Sequence, residues 1–166
     1  VQQSPASVNM ANAFGAAASP MSFGEVYTAI QQGVIDGAEN NELALTSNKH
    51  GEVAKYFSYN KHQMVPDVLV ANLKFLNGLS KEDRAVFEKA AKISTQVEQE
   101  EWDKQVKEAK EYAQKEMGVK FLDVDVQLFR EKVLGVQKQM LKDNASIRDS
   151  YEHFQTFNKK YEKGDK

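Results

Sequence analysis

Apolar positions along the chain fall at helical spacing in some stretches and in short extended runs in others. A weak amphipathic helix is expected from Ala6 to Gly15, with Val8, Ala11 and Phe14 on one side. Pro20 prevents the next helix from starting earlier. That helix opens at Ser22 and sets Val26, Ile30 and, past a break, Val34 at helical spacing. Ser22 with Glu25 has the form of a capping box, and Gly33 fits the left-handed residue that stops a helix. Val34-Ile35 is too short for another helix and reads as a buried extended pair. Asp36-Gly37 then turns the chain, and Glu39, Asn40 and Asn41 present polar side chains just beyond the turn. Two readings of that end stand side by side. It is a floor of clustered amides for a polar ligand, or a plain turn followed by a helix cap at Asn41.

A short helix is expected from Glu42 through Leu45 to about Asn48, and a strand from Tyr56. Asn60 to Met64 form a polar loop containing His62. Val68 to Asn72, apolar, β-branched and flanked by turn residues, reads as a central strand buried on both faces. A helical step from Leu73 to Leu79 leads to Ser80, which caps the longest helix; Gly118 stops it after Met117. Val86, Ala90, Ile93 and Val97 make one apolar stripe on it; Trp102, Val106, Ala109, Ala113 and Met117 make a second. The five-residue step between the stripes turns the apolar face by roughly 140°. A continuous helix burying different faces at its two ends is therefore expected. Val119 to Leu122 reads as a strand. Helices follow at about Val126–Asp143, with Phe129, Val133, Val136 and Met140 inward, and at Ser146–Glu162, with Tyr151, Phe154, Phe157 and Tyr161 inward. The tail from Lys163 to Lys166 should fray.

Composition narrows the class. At 166 residues, 41% hydrophobic and 28% charged, the chain suits one globular domain with a real core. A net charge of −2 gives no electrostatic basis for binding nucleic acid. Without cysteine there are no disulfides or thiolate metal sites. No apolar run reaches the roughly 18 residues of a membrane span, and no leader peptide is visible. Residues 1–48 contain no Lys or Arg, which suggests burial against other protein, whereas the later part carries charged surface helices. The chain opens on Val1 without an initiator methionine and looks like the middle of something longer.

Catalytic and metal-binding signals are weak. His50 and His153 sit among polar residues expected to be exposed, which leaves His62 as the candidate site histidine. The sequence contains no HExxH motif, metal-spaced carboxylate cluster, GxSxG elbow or glycine-rich phosphate loop. No enzyme, cofactor or metal is expected.

The run "MSFGEVYTAIQQGVIDGAENN" from Met21 to Asn41 resembles the substrate-binding proteins of tripartite ATP-independent periplasmic (TRAP) transporters. The likeness continues through "KHQMVPDVLVAN" and "LSKEDRAVFEKAA" and covers about Ala16 to Met117. The resemblance implies an α/β, helix-rich, type II-like protein whose two lobes close on an organic anion. Such anions include C4-dicarboxylates, sialic acid and sugar acids, which are delivered to membrane permease subunits without chemistry. It also implies a location in the periplasm and a long helix spanning the lobes. In that family the aromatic at Phe23 packs on the ligand, the amide at Asn40 hydrogen-bonds it, and the loop of His62 lies beside the cleft. Asn41, where many relatives have proline, resembles members that bind sugar acids such as uronates. With Glu39, these residues form the candidate site.

Family members are longer, and most of the first lobe, with its carboxylate-clamping arginine, precedes the segment matched here. Arg84, the first arginine of the chain, is a poor substitute. The expected organisation is 1–79 as part of the second lobe with half the site, 80–117 as the spanning helix, and 118–166 as the C-terminal strand and helices. A C-terminal portion of this kind is expected to bind its acid poorly alone. It should also self-associate through an apolar face around Val34, Ile35 and Val68–Val70. The alternative is a helical protein–protein interaction module.

Overall fold

A computed structural model describes residues 1–161, with side chains through residue 159. The expectations for Tyr161's side chain and for the tail lie outside the described residues. In chain order the elements are α1 (Pro5–Ala13), a 3-10 turn (Phe23–Glu25), α2 (Val26–Gln31), α3 (Leu43–Ser47), α4 (His50–Val53), β1 (Tyr56–Tyr59), α5 (Leu73–Asn77), α6 (Lys81–Lys115), β2 (Lys120–Asp123), α7 (Val126–Asp143) and α8 (Ala145–Tyr161). They form two compact units: Val1–Glu25 with Val124 onward, and Val26–Asp123.

In the first unit, the Ser4 hydroxyl accepts the Ser7 N–H at 3.1 Å and caps α1, with Pro5 at the first helical position. Phe14 meets Phe129 of α7 edge to face at 5.2 Å. Asp125 caps α7 by accepting the Gln127 N–H at 2.9 Å. The expected stripe Phe129, Val133, Val136 and Met140 is half-buried. The stripe on α8 is not. Tyr151 is half-buried, but Phe154 is 67% exposed and Phe157 is also exposed. Helical spacing creates an apolar face, and only a second element laid against that face can bury it.

In the second unit the two strands pair in parallel, with Tyr56 opposite Lys120 and Tyr59 opposite Asp123. A parallel pair needs a crossover, here the chain through α5 and α6. Leu45 of α3, Ala113 of α6 and Val119 form the core, with Phe57, Met117 and Phe121 packed against it. Alanines at 109 and 113 are both buried and leave room for α3 to lie close to α6. The Ser80 hydroxyl accepts the Asp83 N–H at 3.0 Å, and α6 then runs unbroken for 35 residues. Gly118, at φ +68°, reverses the chain so that the Val119 N–H returns to the Ala113 carbonyl at 2.9 Å. Lys55 Nζ donates to the carbonyls of Gly51 and Met117, at 2.8 and 2.9 Å, fastening the ends of α4 and α6 together.

Several expectations need correction here. Only one α6 stripe is covered. Val106, Ala109, Ala113 and Met117 are buried or half-buried, whereas Trp102 and the first stripe, Val86 to Val97, are exposed. Val34-Ile35 is not an extended pair. Gly33 turns left-handed at φ +69°, and both following N–H groups return to the Ala29 carbonyl, at 2.9 and 3.3 Å. Those bonds consume the donors a strand would need, and Val34 is 69% exposed. The run Val68–Asn72 is not a strand either, and Val70 is 82% exposed. A buried strand requires neighbours along its edges, and among the described residues the strands are paired with each other. His50 is buried at the start of helix α4, not exposed.

Candidate functional site

The candidate residues of the second unit gather where β1 ends. Parallel strands direct their C-terminal ends to one edge, where loops can present polar groups to a ligand. Tyr59 closes β1, Asn60 and His62 follow it, and Glu39 to Glu42 form the loop before α3.

Each member of that loop has a local task. Asn40 Oδ1 accepts the Asn41 N–H at 2.9 Å, and Asn41 Oδ1 accepts the Leu43 N–H at 3.1 Å, capping the start of α3. The cap reading of Asn41 is therefore realised in the structure. Its side-chain N–H₂ group is not used in that bond. Asn60 Oδ1 lies 2.6 Å from His62 Nδ1 and 3.3 Å from the His62 backbone N–H. On the other side of the ring, Nε2 is 3.8 Å from Glu39 Oε2. Glu39 and His62, distant in sequence, are thus brought together. Lys61, between Asn60 and His62, is held left-handed at φ +50°, a conformation non-glycine residues adopt at a cost.

Tyr59, Glu42 and Lys110 were not singled out by the sequence. The Tyr59 phenol donates to Glu42; burial, that bond, and the charges of Glu42 and Asp123 raise its pKa. Its ring stacks on Phe121 with centroids 5.8 Å apart, and Lys110 Nζ lies 5.0 Å from the Tyr59 centroid and 5.1 Å from that of Phe121. These contacts fix the end of β1 against β2 and α6. The sequence marks Tyr59 as a strand aromatic but carries no local signal that pairs it with Glu42.

Phe23 belongs to the first unit. It opens the 3-10 turn and is 47% exposed, whereas Phe14 is half-buried. The turn is held by Glu25, whose carboxylate accepts the Ser22 hydroxyl at 2.6 Å and the Ser22 N–H at 3.1 Å; these bonds lower its pKa. This is half of the expected capping box, since the hydroxyl donates to the carboxylate instead of accepting the Glu25 N–H. Arg84 is engaged by Glu88 and Asn77 at 3.1 and 3.2 Å. Among the described residues no group of three or more His, Asp or Glu converges as a metal site, and no helix is long and apolar enough to cross a membrane.

The model of the bacterial extracellular solute-binding proteins, family 7, matches residues 1–144. The chain belongs to that family. A TRAP periplasmic solute-binding protein from Anaerococcus prevotii, solved with bound α/β-D-glucuronate, is 50% identical with a TM-score of 0.88, over 97% of this chain and 52% of that one. Another from Sulfitobacter sp., solved with β-D-galacturonate, is 33% identical with a TM-score of 0.83, over 90% of this chain and 49% of that one. The protein YiiZ of Salmonella typhimurium is 38% identical over 156 residues, 94% of this chain and 47% of that protein. This family 7 chain therefore spans about half the length of the relatives it matches. It is a TRAP solute-binding protein sequence of the periplasm, helix-rich and α/β as expected.

Proposed function

We propose that the whole protein to which this chain belongs captures a uronate-type sugar acid in the periplasm and hands it unchanged to the membrane permease of a TRAP transporter. The observation that carries this reading is the half-identical relative, which matches nearly the whole chain and was solved holding glucuronate. Phe23, Asn40, Asn41, His62 and Glu39 are proposed as this chain's share of the ligand site. Phe23 offers an exposed ring face for the apolar side of a sugar, and the two asparagines offer amides. The role is one of binding, without catalysis. No relative described above favours the alternative of a helical interaction module.

Calorimetry on the whole protein with D-glucuronate, D-galacturonate and succinate tests the reading. Micromolar or tighter uronate binding, with the acid recovered unaltered, is the expected result. Binding of succinate alone would move the assignment to C4-dicarboxylates, and binding of no organic acid would overturn it.

A further inference from the structure

We infer that Asp36-Gly37 is a site of spontaneous aspartate isomerisation, a covalent modification of the bend that follows α2. The reaction needs a backbone nitrogen free to attack and a carboxyl free to swing onto it. Asp36 and Gly37 are both exposed. Among the described residues nothing accepts the Gly37 N–H, and no hydrogen bond or ion pair holds the Asp36 carboxyl. Gly37 has no Cβ to shield its nitrogen, and a Cβ built there meets nothing within 4 Å. The chain is tied down on either side of this bend. The Val34 and Ile35 N–H groups return to the Ala29 carbonyl, and the Asn40 and Asn41 side chains accept the N–H groups of Asn41 and Leu43. The sequence alone ranks a different pair first. Asn77-Gly78 also places a side-chain carbonyl before glycine, and asparagine reacts faster than aspartate. There, however, the Gly78 N–H is held by the carbonyls of Lys74 and Phe75, at 3.1 and 3.0 Å, and Asn77 Oδ1 accepts from Arg84 at 3.2 Å. That nitrogen must leave the end of α5 before it can attack, so the helix protects the pair.

The step balances without a co-reactant. The Gly37 nitrogen attacks Asp36 Cγ and a new N–Cγ bond forms. The C–OH bond of the neutral carboxyl breaks, and the hydroxyl leaves with the amide proton as water. Water then reopens the imide ring. Cleavage at Cγ restores aspartate. Cleavage at the Asp36 main-chain carbonyl gives isoaspartate, in which the chain runs through Cβ and Cγ and the free carboxylate sits on Cα. Net charge is unchanged, and the main chain is longer by one carbon. That carbon must be absorbed between the bonds at Ile35 and those at Asn40 and Asn41, so isomerisation displaces the loop before α3. On the solute-binding reading above, on which this consequence alone rests, the isomerised protein loses ligand affinity.

The test is prolonged incubation of the whole protein at physiological temperature, followed by peptide mapping with electron-transfer fragmentation, which distinguishes isoaspartate from aspartate. Isoaspartate should accumulate at position 36 ahead of any change at Asn77, with a transient species lighter by one water. Gly37→Ala should slow the reaction by roughly an order of magnitude, because the added methyl shields the nitrogen. Gly37 is not left-handed and has open space at its Cβ, so this variant keeps the fold. Asp36→Asn should speed the reaction and release ammonia in place of water, and Asp36→Glu should block it. Calorimetry with D-glucuronate on aged protein should show the binding-competent fraction falling as the isoaspartate fraction rises, with Gly37→Ala spared. No isoaspartate at position 36, an unchanged rate in Gly37→Ala, or earlier reaction at Asn77 overturns the inference. Isoaspartate without loss of binding overturns the consequence for the ligand. Failure of fresh wild type to bind glucuronate overturns the solute-binding reading and leaves the modification standing.

Discussion

Gly51→Ala should destabilise the chain, although alanine is the better helix former. A Cβ built at Gly51 meets Met117 Sδ at 2.8 Å, Met117 Cε at 3.2 Å and the Leu45 carbonyl oxygen at 3.2 Å. The thioether can swing aside, but Met117 packs on the core of Leu45, Ala113 and Val119, and the Leu45 carbonyl is backbone. Overpacking of this kind costs about 1–3 kcal/mol, and the gain in helix propensity offsets up to about 1 kcal/mol of it. A net loss of about 1–2 kcal/mol corresponds to a fall in Tm of roughly 2–8 °C for a chain of this size. Thermal unfolding followed by circular dichroism measures it. Met117→Ala removes two of the three obstructing atoms and leaves the Leu45 carbonyl, so Gly51→Ala made in that background should cost less than in the wild type; the two changes couple because the residues touch. An unchanged or raised Tm for the single variant would refute the reasoning. So would an equal penalty in both backgrounds, because the obstruction would then not be Met117.

Asn41→Ala should lower stability by about 1 kcal/mol through loss of the α3 cap, while Asn41→Asp should keep the cap and, by facing an acid with a carboxylate, lose ligand affinity; unfolding and calorimetry separate the two effects. His50 has its pKa lowered by burial, so the unfolded chain binds a proton that the folded one resists. Stability should therefore be full above the ordinary histidine range and fall as pH drops through it, and His50→Gln should flatten that part of the curve in urea titrations at stepped pH. The isolated 166-residue chain should self-associate through exposed Val65, Val68, Leu69 and Val70; Val68→Lys with Val70→Lys should shift sedimentation toward monomer, and an unchanged distribution would exclude this surface.

What the sequence disclosed about the fold is what local physics determines. Ser80 caps α6 because a hydroxyl three residues before a free N–H can reach it, whatever surrounds them. Gly33 and Gly118 end helices because a residue without Cβ enters the left-handed region cheaply. The two extended runs show the limit of this reasoning. Tyr56–Tyr59 is a strand because Lys120–Asp123 lies beside it; Val68–Asn72 also carries strand-favouring valines but has no such neighbour among the described residues. A strand is a relation between two segments, and composition specifies only one of them. The first stripe of α6 and the aromatic stripe of α8 are apolar faces for the same reason legible, and exposed for the same reason unburied.

The candidate site divides along the same line. Asn41 as a helix cap was readable, since its partner is two residues away. His62 stood out because of the loop it occupies, but nothing local assigned Glu39 to its Nε2 or Asn60 to its Nδ1. Those assignments depend on where β1 ends relative to the loop before α3. That geometry is held from below by contacts with no sequence signature: Tyr59 on Glu42, Phe121 beneath Tyr59, and Lys110 over both rings. The stacked rings and the half-buried phenol hold the strand end by packing, so the loop can hold a left-handed lysine and a partly buried acid–histidine pair. The left-handed backbone costs stability where it occurs, and it persists because the sheet beneath it is fixed. A local conformation opposed by propensity but supported by tertiary packing is where reading a chain residue by residue fails, and in this chain it coincides with the polar groups best placed to meet a ligand.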